Sequence, residues 1–195
     1  MTHVPRNRQR WRVHDQLPRR QPCDALRRWL FDAGSLTRRV QRACPGRFEV
    51  RVERQDWGRP LLDECRALRL RLPRRALIRE VHLLCDGQPW VFARTVLPLT
   101  TLRGRGQRLA HIGSRPLGAV LFADPHLRRG PVEVTRVLPG ERLFTAAVQG
   151  LRRAPAEIWG RRSVFWLDGK PLLVSEFFLP GIAGCGRPGG VGTSY

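Results

Sequence analysis

Two stretches of the chain, residues 76–98 and 158–180, share one hydrophobic pattern. Each is an apolar run rich in residues that favour β-strands, then an Asp-Gly pair, then a second such run. An Asp-Gly pair between two strands favours a two-residue type I′ turn, because both of its residues need positive φ. The pattern therefore predicts two β-hairpins, with their turns at residues 86–87 and 168–169.

The predicted turns determine which charged residues face each other across each hairpin. Counting outward from the turn places Arg79 opposite Arg94 in the first hairpin. The same count places Arg161 opposite Glu176 in the second. Side chains alternate between the two faces of a strand, so these charges lie on faces that are otherwise apolar. Like charges opposite each other destabilise a sheet, and burying an unpaired charge costs more, so such charges need a reason.

One possible reason is a bound ligand. Two arginines on an apolar face are tolerable if they share an anion, so Arg79 and Arg94 favour a closed pocket for a molecule with a carboxylate. Glu176 would then act as a hydrogen-bond acceptor or as an acid/base at the other end of that pocket. In the alternative interpretation, both arginines point to solvent, or either one pairs with Glu176 or with Glu80.

The rest of the chain predicts further strands and helices. Residues 23–44 have the apolar spacing of helices, in two pieces separated at Gly34. Alternation of apolar and charged residues predicts strands at residues 48–52 and 132–138, and an extended segment at residues 61–72. Together with the hairpins, this predicts an α+β fold: a six-stranded antiparallel β-sheet with helices packed on one side.

The length of 195 residues predicts one domain with a flexible segment at each end. Residues 1–22 contain six arginines and three prolines, which is typical of a basic, poorly ordered arm. Residues 23–182 would form the domain, and residues 183–195 a Gly-rich tail. The pattern assigns no element to residues 139–157.

The net charge of +20 suggests nucleic-acid binding, but three observations count against it. The chain has a single lysine, Lys170, so arginine has replaced lysine throughout, as a compositional bias of the genome would produce. The arginines are spread along the chain, and no helix-turn-helix, zinc-finger or RNP-type motif is present. No apolar run is long enough to span a membrane, and the first residues lack the apolar region of a signal peptide, so a cytoplasmic protein is expected.

The cysteines and histidines do not have the spacing of a metal site, so no metal is expected. The five cysteines are an odd number without a secretion signal, which predicts reduced thiols. They are Cys23, Cys44, Cys65, Cys85 and Cys185. No phosphate-binding loop, dinucleotide fingerprint or nucleophile elbow is present, so no cofactor is expected.

Several short blocks of sequence, taken together and in order, are more specific than any one of these patterns. The blocks are Gly34-Ser35-Leu36-Thr37-Arg38-Arg39, Arg79-Glu80, Arg94-Thr95-Val96-Leu97-Pro98, Pro116-Leu117-Gly118, Trp159-Gly160-Arg161-Arg162-Ser163 and Gly169-Lys170-Pro171-Leu172-Leu173. On these blocks the chain resembles the chorismate lyase family over residues 25–180.

The resemblance implies a six-stranded antiparallel sheet and a buried ligand cavity under helical flaps. By position, Arg79 would bind the ring carboxylate of the ligand, helped by the backbone of Leu117. Glu176 would meet the hydroxyl at the opposite end of the ring. Leu36 would cover the site from a flap helix, and Arg94 would lie in the same pocket.

The function implied by the resemblance is elimination of pyruvate from chorismate to give 4-hydroxybenzoate, the first committed step of ubiquinone biosynthesis, by a monomer without a cofactor. In this hypothesis Arg79 orients the dianionic substrate, Arg94 stabilises the departing enolpyruvyl group, and Glu176 binds the hydroxyl and acts as acid or base. A concerted elimination that needs no protein base is equally compatible with the sequence. The alternative function is a non-catalytic sensor of small carboxylates with the same fold, as in effector-binding domains of transcription regulators.

Overall fold

A computed structural model describes residues 10–13, 22–71 and 75–183 of the chain. The strands are β1 (Arg12–Val13), β2 (Phe48–Gly58), β3 (Ala76–Cys85), β4 (Gln88–Pro98), β5 (Arg128–Arg129), β6 (Glu133–Val137), β7 (Ile158–Leu167) and β8 (Lys170–Phe178). The helices are α1 (Asp24–Leu30), α2 (Leu36–Ala43), α3 (Leu62–Ala67), α4 (Leu117–Leu121), α5 (Arg142–Ala147), α6 (Pro180–Ala183) and a 3₁₀ helix (Gly104–His111). None of these helices is long and apolar enough to cross a membrane.

The strands form one antiparallel sheet in the order β1-β6-β7-β8-β4-β3-β2, and β5 pairs with the free part of β7 beside β6. Both predicted hairpins are confirmed, as β3–β4 and β7–β8. The turn residues Asp86 and Asp168 have φ of 46° and 48°, and the glycine after each is also positive, as a type I′ turn requires. The predicted pairing of Arg161 with Glu176 is confirmed as well.

Helices cover both faces of the sheet. On one face, α1 and α2 pack through Leu30 and Val40 in a core that includes Val91 of β4. On the other face, α5 packs through Phe144 in a core that includes Phe92, the next residue of β4. Neighbouring residues of a strand point to opposite faces, so these are two separate layers. The α+β class is therefore confirmed, whereas the prediction of helices on one side only is wrong.

The sheet has eight strands among the described residues, not the predicted six. The two additional strands, β1 and β5, have two residues each, which is too short to produce a hydrophobic period. The element boundaries also differ at residues 61–72, where the extended segment is replaced by helix α3. Glu64 stabilises the first turn of that helix, because its carboxylate accepts a hydrogen bond from the backbone N–H of Leu61 at 2.7 Å. The unassigned residues 139–157 contain α5.

The predicted N-terminal arm contributes to the domain. Trp11 packs against Phe177 with ring centroids 6.0 Å apart, and its Nε1 donates to Asp63 at 2.9 Å. Arg12 pairs with Val134 at the edge of the sheet. Residues 10–13, which the prediction assigned to the arm, therefore contact the core through an aromatic side chain and one edge of the sheet. The other residues predicted as arm, apart from Pro22, lie outside the described residues, as do residues 184–195 of the predicted tail.

A disulfide joins the end of α2 to the tip of the first hairpin. Cys44 follows the last residue of α2, Cys85 ends β3, and the two Cα atoms are 5.6 Å apart. Cys23 is also disulfide-bonded, while Cys65 is a free, buried thiol. The prediction of reduced thiols is therefore wrong for Cys23, Cys44 and Cys85, and confirmed for Cys65. The fold brings Cys44 and Cys85 together, although they are 41 positions apart in the sequence.

Candidate active site

A narrow cavity lies between the sheet and the helices α2 and α4. Side chains of β3, β4 and β8 form its floor, and Leu36 of α2 and Leu117 of α4 cover it. Its volume is about 50 Å³, which is room for a few water molecules. Arg79 and Glu176 also line it, so four of the five residues expected at the site from the sequence meet in one place.

Arg79 is buried in the cavity wall without a carboxylate partner. The residue is 2% exposed, and its guanidinium donates to the side-chain oxygen of Gln55 at 2.8 Å and to the carbonyl of Arg115 at 3.4 Å. Both acceptors are neutral, and no acidic residue in the described part of the chain forms an ion pair with Arg79. Burial lowers the pKa of Arg79, although an arginine stays protonated near neutral pH. A buried cation without a counter-ion is costly, so this position suits a bound anion.

Glu176 is held in place by Arg161. Nε of Arg161 donates to Oε2 of Glu176 at 2.6 Å, and Nη1 donates to the carbonyls of Trp29 at 3.0 Å and Asp32 at 2.6 Å. Arg161 is 1% exposed, whereas the Glu176 side chain is 19% exposed. One guanidinium therefore determines where the carboxylate lies and also binds the loop that precedes α2.

The helices α2 and α4 meet above the cavity. The segment of residues 31–35 together with α2 is called the flap below. A Cβ atom on Gly118 would lie 3.3 Å from both the Ser35 hydroxyl and the Thr37 hydroxyl, so glycine permits this close approach. Ser35 is the N-cap of α2, but its side chain makes no capping hydrogen bond. Leu36 follows it and is 3% exposed, which places a buried leucine over the ligand space.

Arg94 does not face Arg79, so that prediction is wrong. The pairing starts as predicted at the turn, but a bulge at Trp90 shifts the register by one residue. Arg79 consequently pairs with Thr95, and Arg94 pairs with Glu80. A shift of one residue changes which face the paired side chain occupies. Thr95 therefore lines the cavity, and Arg94 lies on the opposite face of the sheet.

On that opposite face, Arg94 is the centre of a buried ion-pair network. Its Nε and Nη2 donate to the two carboxylate oxygens of Glu64 at 2.7 and 3.0 Å, and its Nη1 donates to Glu80. Burial by itself would lower the pKa of Arg94, but the two carboxylates outweigh it and raise the pKa. Arg94 therefore pairs with Glu80, as in the alternative interpretation of the sequence. Its guanidinium lies on the opposite face of the sheet and cannot reach the cavity.

Two further residues complete the polar part of the site. Gln55 of β2 pairs with Arg79 and is itself held by a 2.7 Å hydrogen bond from its amide nitrogen to the carbonyl of Ala110. No signal in the sequence distinguishes Gln55 from other polar residues of the strand. Thr95 would have been found if the bulge at Trp90 had been predicted.

The cavity combines a cationic group, a carboxylate and apolar walls. A free guanidinium and a carboxylate project into it, and Phe165, Val81 and Leu121 supply apolar walls. Within the described residues, no group of three or more His, Cys, Asp or Glu side chains could hold a metal ion.

Comparison with known proteins identifies the family of the chain. A family model described as chorismate lyase matches residues 5–183. The chain belongs to the chorismate lyase family. A protein of Methylococcus capsulatus named probable chorismate pyruvate-lyase is 48% identical over 154 residues, which are 79% of this chain and 94% of that protein. A protein of the same name from Azoarcus sp. is 51% identical over 163 residues, which are 82% and 86% of the two chains.

The fold also occurs among solved structures. The crystal structure of the effector domain of PhnF from Mycobacterium smegmatis matches with a TM-score of 0.53. The match covers 76% of this chain and 90% of that one, with 15% sequence identity. At that level of identity the likeness shows the fold.

Proposed function

We propose that this protein is a chorismate pyruvate-lyase that converts chorismate to 4-hydroxybenzoate and pyruvate, the first committed step of ubiquinone biosynthesis. The observation that carries the proposal is the buried Arg79, which has no carboxylate partner among the described residues and shares one closed cavity with Glu176. Relatives that match most of the chain bear the corresponding name. Chorismate has a carboxylate on its ring and a hydroxyl at the opposite ring carbon, so its two ends match these two residues.

Arg79 binds the ring carboxylate in this proposal. A guanidinium grips a carboxylate with two parallel N–H groups, which fixes both the position and the plane of the ring. Leu117 is the first residue of α4, and the first N–H groups of a helix have no acceptor within it. The Leu117 backbone is therefore free to donate a further hydrogen bond to the same carboxylate.

Glu176 meets the ring hydroxyl at the other end. The bond between ring carbon 3 and the ether oxygen breaks, and its electrons leave with the enolpyruvyl group. The proton on ring carbon 4 is lost, the ring becomes aromatic, and the enol takes up a proton to give pyruvate. Glu176 accepts the ring proton or only positions the hydroxyl, and both routes use the same contacts. Aromatisation drives the reaction, so the protein has mainly to orient the dianion and stabilise the separating charge.

The flap controls access to the site. A cavity of about 50 Å³ under α2 and α4 is too small to admit a ring compound without movement of its cover. Leu36 and Leu117 must therefore separate for substrate entry and for product release. Release of 4-hydroxybenzoate is expected to be slow, because the closed flap buries the whole ring.

A direct assay tests the proposal. The purified protein is incubated with chorismate, and 4-hydroxybenzoate and pyruvate are measured separately, with equal amounts expected. Arg79→Gln should lower kcat/KM by about 100-fold or more, because it removes the charge that holds the ring carboxylate. Arg75→Gln is the matched control, since Arg75 is exposed just before the same strand and should have nearly full activity. Failure of the unmodified protein to form either product contradicts the proposal.

The same assay separates the enzyme from a sensor. An effector domain with this fold would bind a small carboxylate and leave it unchanged. Tight binding of 4-hydroxybenzoate without any turnover of chorismate would therefore favour the sensor.

The proposal extends to the assembly and location of the enzyme. The residues proposed to contact substrate come from one chain, so a monomer is sufficient and light scattering should give the mass of one chain, 22.4 kDa. We also place the enzyme in the cytoplasm. Fractionation of cells should recover both the protein and its activity in that compartment.

A further inference from the structure

This inference rests on the proposed function and concerns the two negative charges of chorismate. Chorismate carries two carboxylates, one on the ring and one on the enolpyruvyl group. Among the described residues that line the cavity, Arg79 is the only basic one. The second carboxylate therefore needs a cation at the rim.

Most buried arginines near the sheet are already neutralised. Arg94 binds Glu64 and Glu80, and Arg161 binds Glu176. Arg162, the neighbour of Arg161, binds Asp63 and Glu133 on the other face. These guanidiniums hold protein carboxylates and are not available to a ligand.

Arg129 of β5 is different. Its Nε donates to the Ser163 hydroxyl at 3.1 Å, and its Nη1 donates to the carbonyl of Ala33 in the flap at 2.7 Å. Both acceptors are neutral, and in the part of the chain that the structure describes no carboxylate forms an ion pair with this arginine. Its guanidinium carbon lies 5.4 Å from the ring centroid of Phe165, a residue of the cavity wall. Arg129 is thus a half-buried cation at the rim of the cavity.

The sheet register places Arg129 at the far side of the cavity from Arg79. Arg79 pairs with Thr95, Thr95 with Val174, and Val174 with Ser163, so one row of side chains crosses four strands. Neighbouring strands are about 4.8 Å apart, so the row spans roughly 14 Å. Arg79 begins the row on the cavity floor, and Ser163 ends it where Arg129 is bound.

The electrostatic surroundings agree with this placement. Burial lowers the pKa of Arg129, the charge of Arg161 lowers it further, and Glu176 and Asp32 act in the opposite direction. Arg129 therefore lies close enough to Glu176 to sense its charge. In the proposed binding mode, Glu176 meets the hydroxyl on ring carbon 4, and the enolpyruvyl ether is on the next ring carbon. The second carboxylate then lies at the Glu176 end of the site, where Arg129 is.

We infer that Arg129 binds the carboxylate of the enolpyruvyl group, so that two arginines hold the two carboxylates of the substrate from opposite sides. The product 4-hydroxybenzoate keeps only the ring carboxylate. Arg129 consequently distinguishes substrate from product, and its contact ends when pyruvate leaves.

A purely structural role for Arg129 makes a different prediction. If Arg129 only fastened the flap through Ala33, its loss would loosen the cover over substrate and product alike. Substrate turnover and product affinity would then fall together. A role in binding the second carboxylate affects the substrate alone.

The test compares Arg129→Gln and Arg129→Lys with the unmodified enzyme. For each protein, kcat/KM is measured with chorismate, the Kd of 4-hydroxybenzoate by calorimetry, and the Tm by circular dichroism. Arg129→Gln should lower kcat/KM about 10- to 100-fold, mainly through KM, and change the Kd of 4-hydroxybenzoate less than about twofold. Arg129→Lys should recover part of the loss, because it keeps the charge without the planar fork.

Arg128→Gln is the matched control, since it removes the same charge from the neighbouring exposed position of β5 and should behave like the unmodified enzyme. Parallel losses in kcat/KM and product affinity in Arg129→Gln, or an unchanged KM, would overturn the inference. An unmodified enzyme that binds 4-hydroxybenzoate but never turns over chorismate would instead overturn the proposed function, and this inference with it.

Discussion

Arg161 joins Glu176 to the loop between α1 and α2. Its Nε is 2.6 Å from Oε2 of the carboxylate, and its Nη1 is 2.6 Å from the carbonyl oxygen of Asp32. The pair is nearly shielded from water, so the attraction between the charges is stronger than at an exposed site. The position of the proposed acid/base group and the position of the flap are therefore coupled through one side chain.

This coupling predicts the effect of Arg161→Lys. Lysine keeps the charge but cannot bind the carboxylate and two carbonyls in one plane, so Glu176 and the flap should both lose their alignment. We expect kcat/KM for chorismate to fall about 10- to 100-fold and the affinity for 4-hydroxybenzoate to weaken with it. Steady-state kinetics and calorimetry measure the two effects.

Arg162→Lys is the control for that experiment. Arg162 is the next residue of β7, is equally buried in an ion-pair network, and lies on the face away from the cavity. The Arg162→Lys variant should be less stable than the unmodified protein but bind 4-hydroxybenzoate with the same affinity. Equal losses of affinity in both variants would contradict a specific coupling through Arg161.

The network around Arg94 predicts a large effect on stability. Replacing Glu64 by glutamine leaves part of the Arg94 charge uncompensated in the core, which typically costs about 3–5 kcal/mol. Chemical denaturation of Glu64→Gln should show that loss in the free energy of unfolding, while the folded fraction binds 4-hydroxybenzoate with unchanged affinity. Asp56→Asn is the control, because its exposed pair with Arg54 should contribute less than about 1 kcal/mol. A Glu64→Gln variant that is as stable as the unmodified protein but has lost turnover would contradict this assignment. It would support the catalytic role of Arg94 that the sequence indicated.

Arg94 also shows where sequence reasoning succeeds and fails in this fold. The two Asp-Gly turns are local, and both hairpins follow from a few adjacent residues. No local pattern in the sequence signals the bulge at Trp90, which moves Arg94 to the other face of the sheet. The partner Glu64 is 30 residues away along the chain, in a helix within residues 61–72, where the sequence predicted an extended segment.

The residues that line the cavity could be predicted from the sequence, but the residues that support them could not. Leu36, Arg79, Leu117 and Glu176 meet in one cavity, where the family resemblance places them. Gln55, the partner of Arg79, comes from a neighbouring strand and could not be assigned without the register of β2. Motifs therefore located the residues proposed to touch the ligand, whereas their supporting contacts required the tertiary structure.

The ion pair of Glu53 with the buried His82, on the far side of the sheet, predicts a pH dependence of stability. Burial alone would raise the pKa of Glu53, but hydrogen bonds from His82 and Arg51 outweigh it and hold the pKa below its ordinary value. A carboxylate with a lowered pKa stabilises the fold above the pKa of the unfolded chain, about 4.3, and that stability is lost as the pH falls through the folded value. Glu53→Gln should therefore be less stable than the unmodified protein at pH 7, by about 1 kcal/mol, because solvent screens a carboxylate at this exposed position.

The difference between the two proteins should shrink as the pH falls below about 4.3, which denaturation curves at several pH values would show. Glu49→Gln, at an exposed position of the same strand, should show little difference at any pH. A difference between Glu53→Gln and the unmodified protein that persists unchanged in acid would contradict this assignment.

The disulfide between Cys44 and Cys85 predicts sensitivity to reduction. It closes a segment of 41 residues, and a cross-link of that length contributes roughly 4 kcal/mol in the chain-entropy description. Cys44→Ser, compared with the oxidised parent, should lower the free energy of unfolding by up to that amount. Cys65→Ser is the control, since Cys65 has a free thiol. Alkylation of the protein straight from cells would report whether the pair is oxidised there, and full alkylation of both thiols would contradict the cross-link.

The flap predicts that product release limits turnover. Leu36 covers the ligand and must move before 4-hydroxybenzoate can leave, so the first turnover should be faster than those that follow. Rapid-quench measurements of the unmodified enzyme should show a burst of one product per active site.

Leu36→Ala removes much of the cover, and we expect the burst to disappear and the product to dissociate about tenfold faster. Val40→Ala truncates a buried residue of the same helix that does not line the cavity. Val40→Ala should lower the stability and keep the burst, because it weakens the packing of α2 without uncovering the ligand. A linear first turnover in the unmodified enzyme would show that product release does not limit turnover.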